Sequence, residues 1–247
     1  DTATLQRHRA RATAEGMFLH ATAADELQDR LAMVNKPFTD AAIVTGFPDF
    51  WRQLHPEAAI VSDSETLDLI PQSHDLVAHM MGLHWSNDPV GQLIQCRRAL
   101  RPDGLFIAVS LGGDTLQELR RALGEAEIAV TGGLSPRIAP LPELRDLGGL
   151  LQRAGFSLPV ADTATLSVEY RDIWHLMHDL RAMGEGNAMA ARLRKPTQRA
   201  VFARAAELYQ QTYGGADGKI PATFEIVVLT GWAPADSQPK PLRPGSA

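Results

Sequence analysis

The chain predicts an α/β fold with a mainly parallel sheet, on three observations. Short apolar β-type runs recur at residues 41–46, 58–63, 75–80, 105–110, 160–170 and 222–232. Stretches with helical spacing of apolar residues stand between most of them. Proline and glycine mark the junctions. Strands that alternate with helices call for right-handed crossovers between parallel neighbours. Periodicity leaves the direction of the last strand open.

Leu5 to Arg11 form a short basic helical pattern, whose Arg7, Arg9 and Arg11 fit either an acidic partner or a solvated helix face. Residues 25–35 repeat Leu27, Leu31 and Val34 at helical spacing until Pro37 stops the run, so residues 1–40 read as N-terminal helices. The run 41–46 ends in Gly46, and Pro48 opens a brief helix over 48–54. Asp88 as N-cap and Pro89 in the first turn start a helix that Leu93, Ile94, Arg97 and Leu100 mark out. Pro102-Asp103-Gly104 turns the chain into the run 105–110. Gly112-Gly113-Asp114-Thr115 leads into the next helix, with Asp114 as cap and Gln117 as capping-box partner. A helix over 142–154 ends at Gly155, placed as a C′ glycine. Helices over 172–183 and 197–213 form an insertion, residues 171–213, before the final run. The tail 234–247 carries four prolines and little apolar content, and reads as flexible or draped.

Composition narrows the function classes. With 45% hydrophobic and 21% charged residues the chain is of ordinary globular type. A net charge of -5 argues against wholesale nucleic-acid binding. Cys96 is the single cysteine, which excludes an internal disulfide and any multi-cysteine metal site; it sits on an apolar helical face and reads as core. No run reaches the roughly 20 apolar residues of a membrane span, and no signal peptide opens the sequence. The expected location is cytoplasmic or matrix-like, peripheral to an inner membrane at most through a partner.

Several longer motifs carry a resemblance. Leu83-His-Trp-Ser-Asn-Asp-Pro89 followed by Arg101-Pro-Asp-Gly104 resembles the middle of a class I S-adenosylmethionine-dependent methyltransferase. Phe106 to Arg120, Gly132 to Pro140, Asp146 to Phe156, Met183-Gly-Glu-Gly-Asn187, Pro221 to Ile226 and Gly231-Trp232 narrow it to one branch. The chain is identified as a member of that branch, the methyltransferase-like assembly factors of respiratory complex I, whose mitochondrial form hydroxylates an arginine of a complex I subunit. It is similar, more distantly, to the biotin-pathway methyltransferase that esterifies a malonyl carrier protein. The resemblance implies a Rossmann-like sheet within residues 41–233, S-adenosylmethionine as the family's cofactor, and a complex I subunit as protein partner.

The front half departs from that pattern. The superfamily holds the methionyl part of its cofactor on a glycine-rich loop after the first strand, and the ribose on a carboxylate after the second. Here the corresponding run, Ile43 to Phe50, has Gly46 alone. Only 34 residues separate Ala41 from Asp75, whereas one βαβ unit takes roughly 30. One strand–helix repeat is therefore expected to be absent, with a single strand beyond the first. Ser62 and Asp63 then match the family's adenine-side pair, and Gly46, His79 and Met80 complete the candidate cofactor set. Asp63 fits an adenine amino group and a turn cap with Ser64 equally well.

His84 and Trp85 follow a strand carboxyl end, where open α/β sheets collect ligands; they read as a substrate-facing wall or as a buried tryptophan with a rim histidine. Gly112 to Thr115 suits an anion or a tight turn. Arg137 in Ser135-Pro136-Arg137 offers a fork for a carboxylate. His79, His84, His175, His178 and the His55-Pro-Glu57 run raise a metal reading, for which no ligand set stands out over ordinary surface histidines. Loops after Met80 and Ser110, with the 132–140 loop, are the expected partner-facing edge. Asp88 and Asp114 are the carboxylates for an incoming guanidinium, and His84, Trp85 and Asp114 the candidates for chemistry. Two functions fit: an assembly factor of doubtful catalysis, or an active methyltransferase on a small molecule or carrier protein.

Overall fold

In the computed structural model, residues 1–141 and 143–238 are described. The N-terminal part forms α1 (Thr2–Arg9) and α2 (Phe18–Met33). Then follow β1 (Ala41–Thr45), α3 (Pro48–Leu54), β2 (Ala59–Ser62), β3 (His74–Met80), α4 (Pro89–Ala99) and β4 (Leu100–Leu111). The rest is α5 (Gln117–Thr131), α6 (Leu144–Arg153), β5 (Ser157–Tyr170), α7 (Ile173–Ala182), α8 (Arg199–Tyr213) and β6 (Ile220–Trp232). The six strands stand in the order β2-β1-β3-β4-β6-β5. One strand, β2, lies beyond β1.

The neighbours β2-β1-β3-β4 pair in parallel; β1, β3 and β4 are apolar runs largely buried on both faces, whereas the edge strand β2 buries only Val61 and runs on to β3 without a helix. The last strand turns back. Gly112 N donates to Glu225 O at 2.9 Å and Asp103 N to Ala233 O at 3.1 Å. Partner numbers fall as those of β4 rise, so β6 runs antiparallel to it and the sheet is mixed.

Two local expectations are corrected. The turn at Pro102-Asp103-Gly104 lies inside β4, not before it: His74 pairs with Leu100 and Leu76 with Leu105, so the turn bulges out of one continuous strand. Asp103 takes φ 61° there, and its carboxylate accepts from Lys36 Nζ at 3.0 Å and Gln238 Nε2 at 3.1 Å. The start of the tail is thus draped; residues 239–247 lie outside the described residues. At α5, Asp114 is not the cap. Leu116 holds that position at φ 56° without any side-chain cap bond, and Gln117 N reaches only the backbone carbonyl of Asp114. By contrast, Asp88 and Asp172 cap α4 and α7 through their carboxylates.

The chain divides into two compact units. The first comprises Asp1–Asp25, Leu111–Glu143 and Thr163–Val227. Its core sets α5 against α8, with Leu119, Ala122, Val201, Ala205, Tyr209 and Phe224 buried. The second comprises Glu26–Ser110, Leu144–Asp162 and the chain from Val228. Its core gathers Val44, Trp51, Val77, Leu93, Cys96, Phe106 and Leu151, with Phe106 stacked on Phe156 at 4.8 Å. No helix among the described residues is long and apolar enough to cross a membrane.

Candidate functional site

The strand register sets out the second unit's candidates. Thr45 aligns with Ser62 on one side and Met80 on the other. Gly46 and Asp63 therefore each lie one residue past a common row at the carboxyl ends of β1 and β2. Because β2 pairs directly with β1, Asp63 stands at the end of the strand adjoining β1.

The connection after β1 is short. Phe47 N donates to Thr45 Oγ1 at 3.1 Å, Pro48 has no N–H, and Asp49 puts a carboxylate into the first turn of α3. A methionyl carboxylate needs free backbone N–H groups and no like charge beside it. Pro48 and the Asp49 carboxylate make this connection a poorer match for that group than a glycine-rich loop would be.

Asp63 and His79 converge on Gly82. A Cβ added to Gly82 would stand 2.4 Å from Asp63 Oδ2 and 3.1 Å from His79 Cε1, so the carboxylate occupies space that only glycine leaves open. His79 is fully buried, with Nε2 2.9 Å from Gln92 Oε1. Both hydrogens of the Gln92 amide are committed, since Nε2 donates to the carbonyls of Asp63 at 3.2 Å and Ser64 at 2.9 Å. Gln92 Oε1 must therefore accept, which requires a hydrogen on His79 Nε2. This bridge ties the turn after β2 to β3 and α4. Gln92 escaped the sequence reading; the one signal was an amide directly before Leu93 on a stripe that also carries Cys96.

Met80 is wholly buried and lines the core rather than an opening. His84 and Trp85 lie in a single 3-10 turn after β3. His84 Nδ1 sits 3.3 Å from Ser110 Oγ, and its ring lies against Trp85 at 5.8 Å. Both are half-buried rim groups. Asp88 Oδ1 accepts from Gly91 N at 2.8 Å, which commits it to capping α4. Cys96 is buried with its thiol pKa raised by desolvation. No three His, Cys, Asp or Glu side chains among the described residues group as a metal site.

In the first unit, the Gly112–Thr115 loop does meet an anion, and it is the chain's own. Asp114 N donates to Glu225 Oε2 at 3.0 Å. A Cβ on Gly112 would come within 2.4 Å of the same oxygen. Thr115 Oγ1 accepts from Glu225 N at 3.1 Å, and Leu116 N donates to Thr223 O at 2.7 Å. Glu118, buried on α5, accepts from Thr223 Oγ1 at 2.5 Å. The Asp114 side chain stays exposed on this braced loop. The fork of Arg137 likewise closes on an internal carboxylate. Its Nε and Nη2 donate to Glu127 Oε2 at 2.9 Å and Oε1 at 2.6 Å, and Nη1 to Thr197 Oγ1 at 2.8 Å. Ser135 N adds a bond to Glu127 Oε2 at 3.0 Å. Desolvation opposes the Glu127 charge, but Arg137 and Ser135 outweigh it and hold its pKa below the ordinary carboxylate value. Glu127 and Glu225 were both missed in the sequence because each reads as one polar residue among many on a helix or an alternating strand.

A methyltransferase-domain family model matches residues 9–108. The chain is 41% identical over 192 residues to the arginine-hydroxylase NDUFAF5, mitochondrial, of Danio rerio, covering 78% of this chain and 60% of that protein. The Homo sapiens protein of the same name is 41% identical over the same share of the chain and 55% of its own length. A malonyl-[acyl-carrier protein] O-methyltransferase of Xylella fastidiosa is 36% identical, over 73% of the chain and 59% of that enzyme. The chain thus spans less than two thirds of the length of these relatives. Among solved structures, one from Bacillus halodurans assigned as a methyltransferase aligns over 85% of the chain and 99% of its own, with TM-score 0.52 and 12% identity, which bears on the fold alone. With motif, sequence and sheet in agreement, the chain belongs to the family of the arginine-hydroxylase NDUFAF5, within the class I S-adenosylmethionine methyltransferase superfamily.

Proposed function

We propose that this chain is an assembly factor of methyltransferase fold, shortened by about one βα unit, that handles an arginine-bearing segment of a complex I subunit and holds S-adenosylmethionine weakly or not at all. The observation that carries the reading is the connection after β1, where one N–H is spent on Thr45, the next residue is proline and Asp49 adds negative charge. Each hydrogen bond withheld from a charged group costs on the order of 1–3 kcal/mol, so several turn a micromolar binder into a millimolar one. Calorimetric titration with S-adenosylmethionine is expected to give no micromolar binding. A micromolar dissociation constant would overturn this part and favour the second reading, an active methyltransferase on a small molecule or carrier protein. Asp63 at the end of the strand beside β1 is what favours that second reading, since it offers ribose hydroxyls an acceptor.

The partner edge, on this reading, includes the Gly112–Thr115 and 132–140 loops, both braced from within by Glu225 and Glu127. Asp114 is its carboxylate for a guanidinium; Asp88 is engaged as a cap. Asp114→Asn removes the charge, and capping is not at stake at that position. The variant is expected to melt like the parent yet lose capture of the arginine-bearing subunit segment. Undiminished capture by a stable Asp114→Asn protein would reject Asp114 as the recognition residue.

A further inference from the structure

Strand β5 stands last in the sheet order, so it pairs with β6 on one side and, among the described residues, with no strand on the other. It is 14 residues long. Such an edge leaves a row of backbone N–H and C=O groups open to pairing, and proteins usually blunt it with charge, proline or a distorted backbone. Here the blunting is confined to the ends. Leu158 takes φ 50° and Pro159 has no N–H, while Asp162 near the start and Glu169 near the finish are the strand's only charged residues. Between those two carboxylates lie Thr163, Ala164, Thr165, Leu166, Ser167 and Val168, an uncharged run without proline or glycine. Thr163, Ala164, Thr165 and Ser167 are exposed. Both carboxylates are already answered within the chain. Arg30 Nη1 meets Asp162 Oδ2 at 2.5 Å, and Lys219 Nζ meets Glu169 Oε2 at 3.2 Å. The edge therefore holds no unbalanced charge with which to select an acidic or a basic strand. It does hold apolar surface at both ends. Leu158 and Val160 are 47% and 49% exposed, and Trp174, just past the other end in the first turn of α7, is 49% exposed.

We propose that β5 is the interface of a homodimer, in which the Thr163–Val168 stretches of two copies pair antiparallel and the sheet runs on from one copy into the other. The observation that selects a second copy is the symmetry of the strand about its middle. Thr165 and Leu166 are the centre of the uncharged run, and Leu166 is also midway in sequence between Leu158 and Trp174. An antiparallel pair of identical strands about that point brings the start of each to the finish of the other. Leu158 and Val160 of one copy then come to the end that carries Trp174 in the other, and the neutralised pairs Arg30–Asp162 and Lys219–Glu169 fall on either flank. Threonine, alanine and valine line the join, the small and β-branched side chains that cross-strand pairs accept. An unrelated strand could complete the backbone ladder, but nothing in it would place apolar side chains at both ends.

The test is sedimentation velocity on the full chain over a range of concentrations. The parent is expected to show a reversible monomer–dimer equilibrium. Thr165→Lys with Ser167→Lys sets like charges across the join and is expected to raise the dimer dissociation constant on the order of tenfold or more. Thr165→Glu with Ser167→Glu should do the same. An equimolar mixture of these two double variants should dimerise again, because each lysine then faces a glutamate. Gln210→Lys with Gln211→Lys, the same charge change on exposed residues of α8, should leave the dimer in place. Trp174→Ala should weaken it several-fold. Thermal melts of each variant confirm folding. A parent that stays monomeric at every concentration, a lysine variant that dimerises as the parent does, or a mixture that dimerises no better than its separate components would each overturn the proposal. The first of these would leave the edge to an unlike chain.

Discussion

Glu127→Ala is expected to destabilise the protein by about 3–5 kcal/mol, because it strands the Arg137 guanidinium in a nearly closed site. The Glu127 and Arg137 side chains are 5% and 14% exposed, too dry for solvent to replace the missing partner cheaply. Chemical denaturation of Glu127→Ala, Arg137→Met and the paired Glu127→Met/Arg137→Met would measure the coupling. The paired variant should recover much of the loss, since two apolar side chains of similar volume need no counter-charge. Losses under 1 kcal/mol for both single variants would show that the pair carries little. The pH dependence has a definite sign. The Glu127 pKa is lowered in the folded state, so its stabilisation is fully present above the unfolded carboxylate value and is lost as pH falls through the folded one. Parent and paired variant should therefore converge in stability on acidification below the ordinary carboxylate range.

Trp51→Ala is expected to cost about 3–5 kcal/mol as well, for a different reason. Trp51 is wholly buried, meets Phe50 edge-on at 5.6 Å and stacks on His55 at 6.0 Å. Helix α3 has seven residues and no side-chain cap, so this one side chain supplies most of its anchorage. Burial also lowers the His55 pKa, and removing the indole should bring it back toward the ordinary histidine value. Denaturation midpoints check the first effect and proton NMR titration of His55 the second. A loss below 1 kcal/mol would mean that α3 is held by its backbone connections instead.

The inner strands β1, β3 and β4 were legible because apolar runs with β-type composition report burial on both faces, and β1, β2 and β3 sit within a residue or two of their expected places. The cap at Asp88, which acts through its own side chain, was legible too. Asp114 was not, because the start of α5 is decided by a strand that arrives over a hundred residues later: Glu225 takes the loop's N–H and Thr223 the next one. The same holds for the Arg137 fork. The sequence showed a donor in search of a carboxylate, and the fold supplied Glu127 from the preceding helix. Counting repeats placed a single strand beyond β1, and β2 is that strand. A length argument can tell how many strands fit, but the neighbour of β1 is settled by hydrogen bonds between strands. The His79–Gln92 bridge was beyond reach, since nothing local marks two residues 13 apart as buried partners.

Cys96 has a use of its own. It is the chain's single thiol, and it lies inside α4 against the second unit's core, with no exposed surface. An alkylating reagent in water has no path to it while that packing holds, and the raised thiol pKa leaves little thiolate to react. Labelling must wait for the helix to open. The rate of modification thus becomes a clock for local opening around α4, read from one site with no engineered reporter, while the rest of the chain stays chemically silent to the reagent.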